Sequence, residues 1–357
     1  MTGEDQPPLG TEPGRKQPLA RWSVIVKIVV SLTLLGIVGY QAAGSKIVGE
    51  LLQQPKRWEW LALGFICVSA GYTLSFVRWW SLVVGAGLPL RLGEAIRWSL
   101  MSQPFQLISF GVAGGDLLRV YWLCREHPQQ KTHGAATVLL DRGIGLLTMF
   151  AAVAVIGCLI PWSTLAAADP VRTNGLIQVW RLAMGLILAT GLGGLGVLAL
   201  SNTSWPGRLA AWLPSPRLRE VSANLLRLLP VYRRQPGVLV LAVFLSAANV
   251  GFLSTGVYCV AQSLTNETPG IADHLLIAPL SLIAGAAPLP GGLGSQELVM
   301  SWMYMAFSTQ QQNMNFGILV AAGYRGLTLV LVGIGWLLYA TSRQPSGPAA
   351  VRDRELS

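Results

Sequence analysis

The sequence predicts an all-α polytopic membrane protein, with about six full transmembrane helices and two re-entrant helical hairpins in an inverted repeat. Three observations carry that prediction. Apolar stretches of about 20 residues recur along the 357-residue chain, and about 20 helical residues cross the hydrocarbon core of a bilayer. Charged residues make up 12% of the composition, where a soluble domain carries roughly 25%. A double glycine followed by an Arg-Gly pair occurs once in each half: Gly114-Gly115-Asp116 with Asp141-Arg142-Gly143, then Gly291-Gly292 with Tyr324-Arg325-Gly326. Transporters built from inverted repeats place broken helices and costly charges around a site near mid-membrane.

Residues 1–22 are polar, hold four prolines and carry Arg15, Lys16 and Arg21, which reads as a cytoplasmic tail. No A-x-A cleavage site follows the first apolar run, so that run is a true transmembrane helix rather than a signal peptide. The transmembrane domain covers 23–341, with predicted spans at 24–43, 60–84, 136–160, 180–201, 237–262 and 316–340. Arg78, beside Trp79 and Trp80, reads as an interfacial anchor whose side chain snorkels to the headgroups. Gly191, Gly193, Gly194 and Gly196 read as a close helix-packing stretch. Loop 202–236 holds six arginines against Glu220 alone, which places it in the cytoplasm. Its segment 207–229 is either an amphipathic helix gripping anionic inner-leaflet lipid or a plain loop. Residues 342–357 form a second cytoplasmic tail, and the predicted location is a bacterial inner (cytoplasmic) membrane.

The loop charges agree with these spans if regions 95–124 and 275–307 each enter and leave on one side. Both are moderately apolar and interrupted by proline and glycine (Pro104; Pro279, Pro288 and Pro290), residues that break helices and permit chain reversal. Repeat one therefore runs over about 60–160 and repeat two over about 237–340, with opposite orientation. About eight ordinary crossings would also satisfy the charges.

Few residues can carry chemistry. Arg142 and Arg325 fall well inside their spans, where an arginine costs about 2.5–3.5 kcal/mol on insertion scales. Each therefore faces a partner or a polar cavity. A guanidinium fork suits phosphate. The alternative is internal pairing: Arg142 with Asp116 or Asp141, and Arg325 with Glu297. The half-helices starting near Gly115 and Ser295 present free N–H groups and the positive end of the helix dipole. Asp116, Ser295 and Glu297 read as their N-caps, and a carboxylate there could also exchange a proton.

Enzyme chemistry finds no support. Gly291-Gly292-Leu293-Gly294-Ser295 lacks a P-loop lysine, no HExxH occurs, and His127, His133 and His274 all lie outside the predicted spans. Cys67, Cys124, Cys158 and Cys259 form no CxxC pair, so neither a disulfide framework, a metal site nor a cofactor is expected. The net charge of +10 reflects cytoplasmic loops rather than a nucleic-acid surface.

Gly114-Gly115-Asp116 with Arg119, Asp141-Arg142-Gly143-Ile144-Gly145-Leu146, and Pro290-Gly291-Gly292-Leu293-Gly294 with Glu297 resemble the lysylphosphatidylglycerol synthase transmembrane region, or flippase-like family. The resemblance covers about residues 20–340. It departs from the family at Gln296, where relatives carry arginine, and at Gly111-Val112-Ala113, where relatives often have proline before the glycines. If that arginine binds headgroups in relatives, Arg325 is the candidate substitute here. No stretch corresponds to the aminoacyl-transferase domain of bifunctional members. The resemblance therefore implies lipid translocation or a related lipid-handling role.

The expected function is a lipid flippase for an anionic or phosphate-bearing lipid. Arg142, Arg325, Gly114, Gly115, Gly291, Gly292 and Ser295 would bind substrate, and Asp116, Asp141 and Glu297 would exchange protons or form ion pairs. The alternatives are a non-transporting scaffold for a lipid- or glycan-modifying enzyme, and a membrane-embedded lipid transferase.

Overall fold

A computed structural model describes residues 57–108, 113–160, 162, 170–199, 215, 219, 231–265, 267–286, 292–307 and 314–341. Among them the chain is helical and no strand occurs. Two sets of four helices flank a lone helix. The first set is α1 (Trp58–Gly85), α2 (Leu92–Ile108), α3 (Ala113–Glu126) and α4 (Lys131–Gly157). The lone helix is α5 (Pro170–Ala199). The second set is α6 (Pro236–Leu264), α7 (Ile271–Gly285), α8 (Ser295–Phe307) and α9 (Met314–Thr341).

Four of the predicted spans are borne out as helices long and apolar enough to cross a membrane: Trp58–Gly85, Pro128–Gly157, Pro236–Leu264 and Phe316–Thr341. Predicted span 180–201 falls on α5. Predicted span 24–43 lies outside the described residues, as do the tails and most of loop 202–236.

The inverted arrangement is visible where α1 meets α6. Gly64 of α1 packs on Gly256 and Cys259 of α6, Gly71 on Leu253, and Gly85 on Val238. Numbers rise along α1 as they fall along α6, so these equivalent helices are antiparallel. Lipid tails are as apolar as leucine, and close backbone approach at small residues therefore drives such pairing. The Asn249 side-chain amide adds a bond to the Gly71 carbonyl oxygen.

Each re-entrant unit is a pair of short antiparallel helices. Helices α2, α3, α7 and α8 have 17, 14, 15 and 13 residues. At 1.5 Å per residue each covers roughly 20–25 Å, short of the ~30 Å hydrocarbon core. In both repeats the first hairpin helix also packs on the closing helix of the other repeat, α2 on α9 and α7 on α4. The relationship is reciprocal, as a pseudo-two-fold requires.

The chain breaks are not at the prolines within the hairpin helices. Pro104 and Pro279 lie inside α2 and α7, which continue past them. Pro288 and Pro290 lie outside the described residues. In the second hairpin Gly292 (φ +63°) and Gly294 (φ +87°) adopt left-handed backbone just before α8. A side chain at Gly292 would run into the backbone of Gly285, so glycine closes the hairpin arms together. Gly115 does the same work in the first hairpin: a Cβ there would lie 2.7 Å from the Ser102 carbonyl oxygen.

Apolar packing is unequal between the halves. One large cluster, including Val257, Ile277, Met300, Met303, Phe316 and Val320, occupies the second repeat and its contact with α1. The first repeat holds a smaller cluster around Trp79, Val83 and Leu123. Gly191 meets nothing within 4 Å among the described residues. The surroundings of Gly193, Gly194 and Gly196 lie outside the described residues.

Candidate functional site

Arg142 and Arg325 are each the twelfth residue of their helices, counting from Lys131 in α4 and Met314 in α9. Each faces the start of a half-helix in its own repeat. Arg142 donates from Nε to Asp116 Oδ2 at 2.7 Å and from Nη2 to Oδ1 at 2.6 Å, a two-pronged pair. Arg325 donates from Nε to Glu297 Oε1 at 2.6 Å, and its Nη2 reaches Gln296 Oε1 at 3.5 Å. Of the two pairings considered for Arg142, the structure therefore forms the one with Asp116.

Asp116 is not the N-cap of its helix. It is the fourth residue of α3, which begins at Ala113, so its carboxylate faces across to α4 instead of back to the helix start. Glu297 does act at a helix start: its Oε2 accepts the Gly294 N–H at 2.8 Å while Oε1 holds Arg325. Ser295 opens α8, and its hydroxyl donates back to Ala284 O (2.9 Å) or Gly292 O (3.1 Å), tying the two arms of the hairpin. Gly114 is half-buried in the first turn of α3. Gly291 lies outside the described residues.

Asp141, adjacent in sequence to Arg142, points elsewhere. It accepts from Arg78 Nε at 2.7 Å, and Arg78 Nη1 donates to Ser246 Oγ at 2.8 Å. Arg78 is 4% exposed, so it is no interfacial anchor. A snorkelling arginine needs an open path to headgroups, whereas this one is enclosed by α4 and α6. Gly145, one turn beyond Asp141, leaves space for the guanidinium, whose Nη1 lies 3.0 Å from where a Cβ would stand. The Asp141-Arg142-Gly143-Ile144-Gly145 motif thus serves two faces. Asp141 and Gly145 receive Arg78, while Arg142 turns toward the half-helix.

Both Arg-Gly glycines are open. Neither Gly143 nor Gly326 would bring a Cβ within 4 Å of a neighbour. The Arg142 side chain remains 38% accessible despite its mid-helix position, and that of Arg325 17%.

The family model for the lysylphosphatidylglycerol synthase transmembrane region matches residues 24–335. The chain belongs to this family. No curated protein matches it. The family match spans both hairpins and both Arg-Gly helices, which makes the chain a multi-pass membrane protein of a lipid-related family.

Two groupings escaped the sequence reading. His274, expected outside the spans, is fully buried in the first turns of α7; its Nδ1 lies 2.8 Å from Gly270 O and its Nε2 2.7 Å from Tyr304 OH. With Nδ1–H donating to the carbonyl, Nε2 accepts the tyrosine proton, and both ring nitrogens are satisfied. Cys67 and Cys259 meet across the α1–α6 contact. Neither grouping has a local signal, because each forms between distant segments.

Proposed function

We propose that the protein moves an anionic or phosphate-bearing lipid between leaflets, carrying its headgroup past Arg142 and Arg325 while the acyl chains stay in the bilayer. The observation that supports this is the equivalence of the two stations. Each has an arginine at the twelfth helical position, a carboxylate from the first turns of a half-helix, and an open glycine next to the arginine.

Buried arginines with accessible side chains can exchange a carboxylate for a phosphate, since both oxyanions fit the same planar fork. The starts of α3 and α8 present the positive end of the helix dipole. Asp116 and Glu297 return to the guanidinium when the lipid leaves, so neither charge is stranded in low dielectric. Gly114, Gly115, Gly292 and Ser295 shape the hairpin ends that the headgroup approaches, and Gly291 precedes Gly292 in sequence. The setting is a bacterial inner membrane with both termini in the cytoplasm. The six arginines of loop 202–236 offer charge to anionic inner-leaflet lipid.

The test is a leaflet-accessibility assay on the full chain in proteoliposomes with a fluorescent anionic lipid. Transport predicts faster loss of outer-leaflet asymmetry than in protein-free vesicles. An unchanged rate favours a scaffold, and a new lipid species by mass spectrometry favours a transferase.

A further inference from the structure

We propose that Asp116 is a switched counter-ion: an anion arriving on Arg142 displaces it, and it then neutralises Arg119, one turn further along α3. This rests on the lipid-translocation reading and adds to it a charge requirement and an asymmetry between the halves.

The first repeat carries a charge imbalance. Within the first repeat's core lie three guanidiniums, Arg78, Arg119 and Arg142, and two carboxylates, Asp116 and Asp141. Arg78 takes Asp141 and Arg142 takes Asp116, so Arg119 is left over. The second repeat's Arg325 and Glu297 balance one another.

Arg119 is 2% exposed, and no carboxylate pairs with it among the described residues. Its Nε donates to Ser102 Oγ at 3.2 Å, and its guanidinium carbon lies 5.6 Å from the Phe76 ring centre and 5.3 Å from that of Trp79. Two aromatic faces and one hydroxyl offset part of the cost of a buried cation, but not its net charge. Trp79 Nε1 and Ser99 Oγ, both fully buried, also lack partners among the described residues. This part of the first repeat is therefore rich in donors and short of one negative charge.

Asp116 can supply that charge. Positions i and i+3 are neighbours on one helix face, and Asp116 and Arg119 hold those positions in α3. Arg119 is too enclosed for a headgroup to reach, whereas the Arg142 side chain is 38% accessible. An anion on Arg142 with Asp116 on Arg119 gives three cations and three anions, all paired. The empty state holds one charge in excess. An anionic group thus completes the cluster, and a neutral or zwitterionic one does not.

Binding of a fluorescent short-chain phosphatidic acid to the full chain in phosphatidylcholine nanodiscs tests the switch, with inorganic phosphate as a second probe. Asp116→Asn frees Arg142 and deepens the deficit, so binding should tighten. Arg119→Met leaves Asp116 no second partner, so binding should weaken by roughly ten- to a hundredfold, the effect of one unmatched charge several ångströms away at an effective dielectric near 20. The double variant has two cations facing Asp141 and the ligand, and should return to near the native affinity.

Weaker or unchanged binding in Asp116→Asn, which leaves Arg119 intact, would overturn the switch. So would a double variant no better than Arg119→Met, the outcome expected if Arg119 only supports the fold. If phosphate alone reproduces the pattern in neutral nanodiscs and phosphatidic acid does not, the switch stands and the lipid reading falls.

Discussion

Arg78 and Asp141 form a buried pair 2.7 Å apart that pins α1 to α4, with side chains only 5% and 1% exposed. Breaking such a pair leaves one charge uncompensated, typically at a cost of about 3–5 kcal/mol. Arg78→Ala or Asp141→Ala should therefore lower the melting temperature in detergent markedly. The double change Arg78→Met/Asp141→Leu should be milder than either single one, because it leaves no charge behind. Equal damage from all three would mean that the pair is not a unit.

The glycines divide into packing and open positions, and alanine should separate them. At Gly335 a Cβ would collide with the Leu100 carbonyl where α9 crosses α2, so Gly335→Ala should cost about 1–3 kcal/mol of stability. Gly143→Ala and Gly326→Ala meet open space and should leave stability unchanged or raise it by up to about 1 kcal/mol, the helix-propensity difference. Both should nevertheless slow lipid movement, since each fills the space beside its arginine. Thermal unfolding and transport rates, read on the same preparations, check both halves of this prediction.

Tyr304→Phe removes the hydroxyl that serves His274 Nε2 at the base of the second hairpin. A buried acceptor left unsatisfied costs about 1–3 kcal/mol. The expected outcome is a lower melting temperature, with faster amide exchange in α7 and α8 than in α2 and α3.

The Cys67–Cys259 contact gives a native probe of the antiparallel α1–α6 seam. Copper-catalysed oxidation should join these two thiols within one chain, detectable by peptide mapping. Cys124 and Cys158 should remain unlinked to either. Failure to link Cys67 to Cys259 under conditions that oxidise exposed thiols would argue against the seam.

The sequence displayed what repeats locally and concealed what forms at a distance. Gly114-Gly115, Gly292 and the two Arg-Gly pairs are visible because broken helices need glycine and because charge is rare in apolar spans. Arg78 misled, since an arginine flanked by Trp79 and Trp80 matches an interfacial belt. Its actual partners lie 63 and 168 residues away, on faces of α4 and α6 that periodicity does not pair with α1. Asp116 has the residue type of a cap, and only the start of α3 at Ala113 moves it into the helix body. His274 gave no signal because its tyrosine is 30 residues further on, across a chain reversal.

In the proposed transport, Arg142 and Arg325 hold the headgroup in turn as it passes. The most direct measurement is the flipping rate of the Arg142→Ala/Arg325→Ala double variant in proteoliposomes, alongside each single variant and a check of folding by size exclusion. The double variant should fold and move anionic lipid no faster than protein-free vesicles, with each single variant impaired. A folded double variant that transports at the native rate would contradict this.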